Sequence, residues 1–197
     1  AEMLTEPAVM PHTSRKEKPE DRRNKREAFR LLKKAGWSVN DKGQMVDEQG
    51  TRMSLDFLVI STWDDTRKAI IETYSKTLNG WGIEVKNSAV DSAQGQQRFL
   101  DKDYDLISTR ILTFATVGTG LKQLFASETA EVSSYNPAAL RSPMVDAIID
   151  AALEAGSREE EITALKALDR ALRFERIIAH SGYVPEYWTS YFDMFEK

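Results

Sequence analysis

Side chains suited to acid, base or nucleophilic chemistry are scarce in this chain. Its 197 residues include two histidines, His12 and His180, and no cysteine. The histidines stand at opposite ends of the sequence, and without cysteine there is no thiolate nucleophile, no disulfide and no cysteine-based zinc site. No G-x-S-x-G, H-E-x-x-H, Walker A or G-x-G-x-x-G motif occurs. We therefore predict that the chain is not an enzyme and has no catalytic residues.

Two short fragments resemble parts of ligand sites. The D-x-D-x-D spacing at 101–105 matches the start of a calcium-binding EF-hand loop. The sixth and twelfth loop positions are Leu106 and Leu112, however, where such a loop needs Gly and Glu. The G-T-G fragment at 118–120 is typical of ordinary turns. We interpret the first fragment as a polar turn before a strand and predict neither a metal nor a cofactor.

Composition indicates a folded domain with unevenly distributed charge. The chain is 41% hydrophobic and has a formal net charge of -4. Residues 15–34 nevertheless hold ten basic and four acidic residues, which leaves 17 basic and 27 acidic residues elsewhere. A basic arm of this kind is compatible with a nucleic-acid module, our third-ranked hypothesis, but interspersed acids and an amphipathic pattern favour a solvated linker and helix face.

Targeting signals are not visible in the sequence. No run approaches the 18 or more apolar residues typical of a membrane span, and the first residues lack the basic-then-apolar order of a signal peptide. We expect a soluble chain that carries no export signal of its own.

Hydrophobic periodicity in the middle of the chain predicts the order βαβαβ. The predicted elements are a helix from about Asp21 to Ala35, turns at 41–43 and 48–50, a strand at 54–61, a helix after residues 62–65, a strand at 83–86, a helix at 91–100 and a strand at 104–111. Such alternation usually gives a mainly parallel sheet flanked by helices, with right-handed crossovers. The fold class predicted is therefore α/β.

The last third of the chain is predicted to be helical. Ser142 before Pro143 marks a helix start, Gly156 marks its end, and Ser157 with Glu160 has the spacing of a capping box. Six of the 18 aromatic residues of the chain then fall between positions 183 and 195. We divide the chain into an extended connector at 1–20, an α/β lobe at 21–176 and an aromatic-rich return segment at 177–197.

Two stretches carry a family resemblance. REAFRLLKKAGWSVNDKGQMVDEQGTRMSLDFLVI, followed by a helix and then GWGIEVKNSAVDSAQGQQRFLDKDYDLIS, resembles the second lobe of family 5 extracellular solute-binding proteins. SSYNPAALRSPMVDAIIDAALEAGSREEEITALKALDRAL is similar to the Yej-type oligopeptide-binding subgroup. Members of this family are more than twice as long, so the chain resembles an isolated second lobe of a type II periplasmic-binding-protein-like fold.

The resemblance implies a function in solute capture. Family members are subunits of ABC importers that bind a peptide or peptide-like solute between two lobes, close by a hinge motion and deliver it to membrane permease subunits. It further implies a periplasmic or cell-surface location and a first lobe outside this chain. Nucleic acid is not an expected partner.

Ligands of open α/β sheets bind beyond the carboxyl ends of the strands, which here places the expected site after Ser61 and at Arg110. The expected ligand-binding residues are Trp63 as an aromatic platform, Arg110 for a carboxylate or phosphate, Thr113, Phe114, Thr119, Asn136 for backbone-like hydrogen bonds, and Tyr183.

Three of these residues have structural alternatives. Trp63 could shield the start of a helix, Arg110 could form a surface salt bridge, and Asn136 before Pro137 could form a turn. At the level of function, the alternative from a different class is a carboxylate-dependent glycoside hydrolase. That enzyme would need two acids about 5–10 Å apart in a cleft.

Overall fold

The computed structural model describes residues 22–109, 118 and 120–179. Its helices are Arg22–Lys34 (α1), Asp65–Asn79 (α2), Ser92–Asp101 (α3), Gly120–Phe125 (α4), Pro143–Leu153 (α5) and Arg158–Glu175 (α6), with a 3-10 turn at Ser127–Thr129. Its strands are Ser38–Val39 (β1), Met45–Val46 (β2), Ser54–Ile60 (β3), Glu84–Val90 (β4) and Leu106–Ile107 (β5). The predicted order of elements is confirmed. The connector at 1–20 and most of the return segment lie outside the described residues, so the division into domains stays a prediction.

The main sheet is parallel, as predicted. Its three strands lie in the order β4-β3-β5, and β3 pairs along its whole length with β4, from Ser54 opposite Glu84 to Ile60 opposite Val90. On the other side of β3, Phe57 pairs with Leu106. The mainly parallel βαβαβ fold is therefore confirmed. Strand β3, the first strand of this unit, lies in the centre of the sheet.

Two strand boundaries differ from the prediction. Strand β4 continues to Val90, beyond the predicted end at 86, because it pairs with all seven residues of β3. Strand β5 starts at Leu106 rather than at 104. Just before it, Asp105 N donates to Asp56 O at 3.0 Å, but Asp56 N donates to the Asp105 carboxylate at 2.7 Å in place of a main-chain carbonyl, so the regular ladder begins one residue later. The predicted strand end at 110–111 lies outside the described residues.

Helices α2 and α3 cover opposite faces of this sheet. On the α2 side, Phe57, Val59 and Ile71 form a buried cluster, and the ring of Phe57 meets Tyr74 edge-on at 6.4 Å between centroids. On the α3 side, Gly95 lies so close to β3 that an added Cβ would be 2.7 Å from Ile60 Cγ1. The absence of a side chain at Gly95 lets α3 approach the sheet closely.

The β1–β2 hairpin packs beside the start of β4. Met45 N donates to Gly82 O at 2.9 Å, and Met45 is almost fully buried. Gly82 has φ 86, and a Cβ there would lie 2.5 Å from the main-chain oxygen of Gly43. The close contact explains why glycine occupies the position just before β4.

The helical third forms a second core. Its buried members come from the segment that begins with α4 and ends with α6: Phe125, Ala126, Leu140, Val145, Ile149, Leu168 and Ala171. The two predicted helix starts are confirmed, since Ser142 caps α5 and Ser157 caps α6. In the capping box, Glu160 Oε2 accepts from Gly156 N at 2.8 Å. None of the helices in the described part of the chain combines the length and apolar character that crossing a bilayer requires.

Candidate functional site

Parallel pairing brings the carboxyl ends of the three strands to one side of the sheet. Ile60 lies opposite Val90 where β3 and β4 end, and Ser61 N donates to Val90 O at 2.8 Å just beyond them. Strand β5 runs in the same direction and ends at Ile107, which pairs with Leu58. We call residues 61–64, 91–92 and 108–109 the carboxyl edge. The loops after β3 and β5 therefore leave the sheet on the same side, and the loop after β5 is described as far as Thr109.

The chain leaves β3 through a short turn into helix α2. Trp63 N donates to Ile60 O at 2.9 Å, and Asp64 Oδ1 accepts from Arg67 N at 2.9 Å as the helix N-cap. Lys68 Nζ donates to Ser61 O at 2.7 Å and so ties the first turn of the helix back to the end of the strand. These local hydrogen bonds fix the position of the predicted loop on the sheet.

Helix α3 begins beside the same turn. Asp91 Oδ1 accepts from the main-chain N–H groups of Ala93 and Gln94, both at 2.9 Å. The exposed hydroxyls of Thr62 and Ser92 are 3.0 Å apart and join the two loops. Two helix N-termini therefore start at the carboxyl edge, and the capping carboxylates of Asp64 and Asp91 complement their peptide dipoles.

Trp63 lies partly buried at this edge. Its indole packs against the cluster of Phe57, Val59 and Ile71, and the guanidinium carbon of Arg67 is 4.7 Å from a ring centroid. The contact with the core supports the alternative in which Trp63 shields the start of α2, and the platform role stays a prediction. Sequence reasoning missed Arg67, although its i+4 spacing from Trp63 at a helix start was a usable signal.

Asn136 lies away from solvent. It is 1% exposed, its Oδ1 accepts from Leu140 N at 3.1 Å, and its Nδ2 is 3.4 Å from both Ala126 O and Thr129 Oγ1. The side chain thus organises the segment that precedes α5, which favours the turn-forming alternative over the predicted hydrogen bonds to a ligand. The other predicted ligand residues, Arg110, Thr113, Phe114, Thr119 and Tyr183, lie outside the described residues and stay predictions.

A charged network holds α3 on the sheet below this edge. Arg98 Nη2 lies 2.5 Å from Asp56 Oδ2, and Arg98 Nε donates to Asp103 Oδ2 at 2.8 Å. Burial acts to raise the pKa of Asp56, but hydrogen bonds from Ser88 and Arg98 outweigh it and hold the pKa below its ordinary value. A stably ionised, arginine-paired carboxylate is the opposite of the general acid that a glycoside hydrolase requires.

The pKa values of two other carboxyl groups are also below their ordinary values. A hydrogen bond from Arg30 lowers the pKa of Glu27, and a hydrogen bond from Ser54 lowers that of Glu84. In the portion of the chain that the structure describes, no set of three or more His, Asp or Glu side chains is arranged to hold a metal ion.

The fold matches part of the fold of solved bacterial solute-binding proteins. The oligopeptide-binding protein AppA of Bacillus subtilis, solved with a nonapeptide, superposes with a TM-score of 0.67 at 18% identity over 78% of this chain and 30% of AppA. The family model of the bacterial extracellular solute-binding proteins, family 5 Middle, matches residues 3–130. The chain belongs to this family.

The relatives of this chain include a Yej protein, in agreement with the Yej-type resemblance. YejA of Agrobacterium fabrum, whose name describes peptide binding, is 29% identical over 85% of this chain. The peptidoglycan-binding protein YepA of the same organism is 30% identical over 96% of this chain. The chain spans 26% of the length of YejA and 30% of that of YepA.

Proposed function

We propose that the chain is a ligand-binding lobe of the substrate-binding protein of an ABC importer. The protein captures peptides or related solutes, closes around them by a hinge motion and delivers them to membrane permease subunits. It acts in the periplasm or at the cell surface, where extracellular solute-binding proteins work. It catalyses no reaction on its solute.

The observation that carries this proposal is the shared carboxyl edge of β3, β4 and β5. Exposed hydroxyls of Thr62 and Ser92 meet there, and the N-termini of α2 and α3 start there. A peptide offers main-chain amides and carbonyls, which exposed hydroxyl groups are suited to bind as both donors and acceptors.

In the proposal, the rest of this lobe's part of the site comes from residues on the loop after β5 and near the C-terminus. In the proposal Arg110 pairs with a carboxylate or phosphate of the solute, and Thr113, Phe114, Thr119 and Tyr183 surround it. The names of the relatives YejA and YepA make short peptides, including peptide fragments of peptidoglycan, the first solutes to examine.

A lobe of this kind supplies one wall of a site. The other wall comes from the first lobe of the same polypeptide, and the closed form is the one that the permease recognises. Because half of the contacts lie on the other lobe, the lobe by itself is expected to bind solute weakly.

The glycoside hydrolase alternative is not favoured. Hydrogen bonds from Ser88 and Arg98 hold the pKa of the partly buried Asp56 below its ordinary value, whereas a glycosidase raises the pKa of its acid. The family to which the chain belongs is one of binding proteins.

Isothermal titration calorimetry on the full-length protein tests the proposal. The panel consists of synthetic peptides of two to nine residues, peptidoglycan-derived peptides, and sugar phosphates as a chemically distinct control. We expect saturable binding of at least one peptide with a negative heat-capacity change, since apolar surface is buried on closure. Binding of sugar phosphates alone, or release of reducing sugar from an oligosaccharide panel, would refute the proposed function.

A further inference from the structure

The proposed ligand site makes no use of helix α1, whose exposed side is strongly basic. Seven of its 13 residues are Lys or Arg and one, Glu27, is acidic. With 3.6 residues per turn, four of the basic residues lie within about 80° of one another around the helix axis. We call these four the basic face: Arg22, Arg26, Arg30 and Lys33. All four are exposed.

Packing of the neighbouring side of α1 helps to fix the direction of the basic face, because Phe29 lies about 20° from Arg22 around the helix axis. The ring centroid of Phe29 lies 5.9 Å from that of Trp81, at the end of α2. Just after the helix, Gly36 has φ 89 and Trp37 N donates to Leu32 O at 2.9 Å, which turns the chain back toward the domain. With its apolar side held in this way, α1 presents charge to the solvent.

The charge of the rest of the chain has the opposite sign. Helix α1 carries seven basic residues and one acidic residue, and the other positions of the sequence hold 20 basic and 30 acidic residues. An anionic surface therefore attracts α1 and repels the remainder, which orients the molecule with α1 toward that surface.

We propose that the basic face of α1 binds the anionic phospholipid headgroups of a membrane surface without inserting into the bilayer. From Arg22 to Lys33 the face runs for about 16 Å along a straight helix, so its charges can reach several headgroups of a flat bilayer at once. Contact with the membrane surface would keep the solute-binding protein beside its permease whichever solute it carries, so the proposal does not depend on the solute class.

A phospholipid surface fits these observations better than a nucleic acid does. Proteins that bind single strands stack bases on several exposed aromatic rings, whereas α1 has one ring, Phe29, which is partly buried beside Trp81. The family is extracellular, and the anionic surfaces available to an extracellular bacterial protein include its membranes.

Vesicle co-sedimentation with the full chain tests this proposal. Two probes are compared at about 0.1 M NaCl, where exposed charges more than ~10 Å apart are largely screened: vesicles of phosphatidylcholine with phosphatidylglycerol, and vesicles of phosphatidylcholine alone. The test variant reverses three charges of the basic face: Arg22→Glu, Arg26→Glu and Lys33→Glu. The matched control reverses three exposed lysines elsewhere, with the same change in net charge: Lys42→Glu, Lys76→Glu and Lys166→Glu.

We expect the unmodified chain to bind only the vesicles that contain phosphatidylglycerol. The test variant should lose roughly a hundredfold in affinity, at about fivefold for each of the three basic residues, and the control should change far less. Equal binding to both vesicles, equal losses in both variants, or binding to a DNA duplex without binding to vesicles would each overturn the proposal. Because the lipid comparison uses the unmodified chain, it can refute the proposal even if a variant fails to fold.

Discussion

Asp56 on strand β3 and Arg98 on helix α3 form an ion pair, with 2.5 Å between Asp56 Oδ2 and Arg98 Nη2. The two residues are 42 positions apart in the chain, and their side chains are 31% and 16% exposed. The pair joins one face of the sheet to the helix whose N-terminus reaches the carboxyl edge. Substitutions in this pair therefore test how much it stabilises the packing of α3 on the sheet.

Replacing Arg98 with Gln should destabilise the fold. Asp56 would keep its bond from Ser88 but lose its charged partner, and we expect the free energy of unfolding to fall by about 1–3 kcal/mol. Urea denaturation followed by circular dichroism measures the change. The control is Arg141→Gln, which breaks an exposed pair with Glu131 and should cost less than about 1 kcal/mol. Equal costs for the two variants would show that the Asp56–Arg98 pair has no special weight.

The Asp56 pair should also make stability depend on pH in the acid range. The folded state holds the pKa of Asp56 below its unfolded value, so the stabilisation is fully present above an unfolded pKa of about 3.9 and is lost as pH falls through the lower, folded pKa. We expect the stability difference between the unmodified chain and Asp56→Asn to be constant from about pH 6 to 8 and to shrink below about pH 4. A difference that stays constant down to the acid transition would contradict the assignment.

Gly82 and Gly50 offer a matched test of close packing. Both have positive φ, 86 and 84, but an added Cβ at Gly82 would lie 2.5 Å from Gly43 O, whereas at Gly50 nothing lies within 4 Å. Both alanine variants should therefore lose about 1–2 kcal/mol to backbone strain, and only Gly82→Ala should lose a further ~1–3 kcal/mol to the clash. Thermal unfolding of the two variants side by side measures the difference. If Gly50→Ala is as damaging as Gly82→Ala, the hairpin contact is not the cause.

Substitutions at Trp63 distinguish a role in ligand binding from a role in stabilising the fold. If the indole is a platform for the solute, Trp63→Ala should weaken peptide binding to the full-length protein by about tenfold or more, and Trp63→Phe should restore much of the affinity. If it only shields helix α2, Trp63→Ala should lower the melting temperature and leave the dissociation constant of the folded protein unchanged. Calorimetry and thermal unfolding on the same samples distinguish these results.

Much of the fold could be predicted from the sequence because its signals are local. Ser142 before Pro143, Ser157 with Glu160, and the turn glycines Gly43 and Gly50 act through hydrogen bonds and backbone angles within a few residues. Alternating strand and helix patterns then leave few topologies other than a parallel sheet. The carboxyl edge follows directly from that topology, since parallel strands that are neighbours in a sheet end on the same side.

The features that sequence analysis predicted incorrectly depend on contacts between residues far apart in the chain. The start of β5 shifted because the Asp105 carboxylate reaches Asp56 N, 49 positions away. Asn136 looked suited to a ligand, but its amide is used inside the chain by Leu140 and its neighbours. Burial and hydrogen-bond partners of this kind depend on the packed chain, and neither residue type nor spacing reveals them.

The sequence by itself determined the α/β class, the order of the elements and the family, because helix caps, turns and hydrophobic periodicity depend on residues that are close in the sequence. Tertiary structure alone decided which charges are paired, how closely α3 approaches the sheet at Gly95, and which side of α1 faces the solvent. Those properties depend on distances between segments far apart in the chain, which only the folded arrangement fixes.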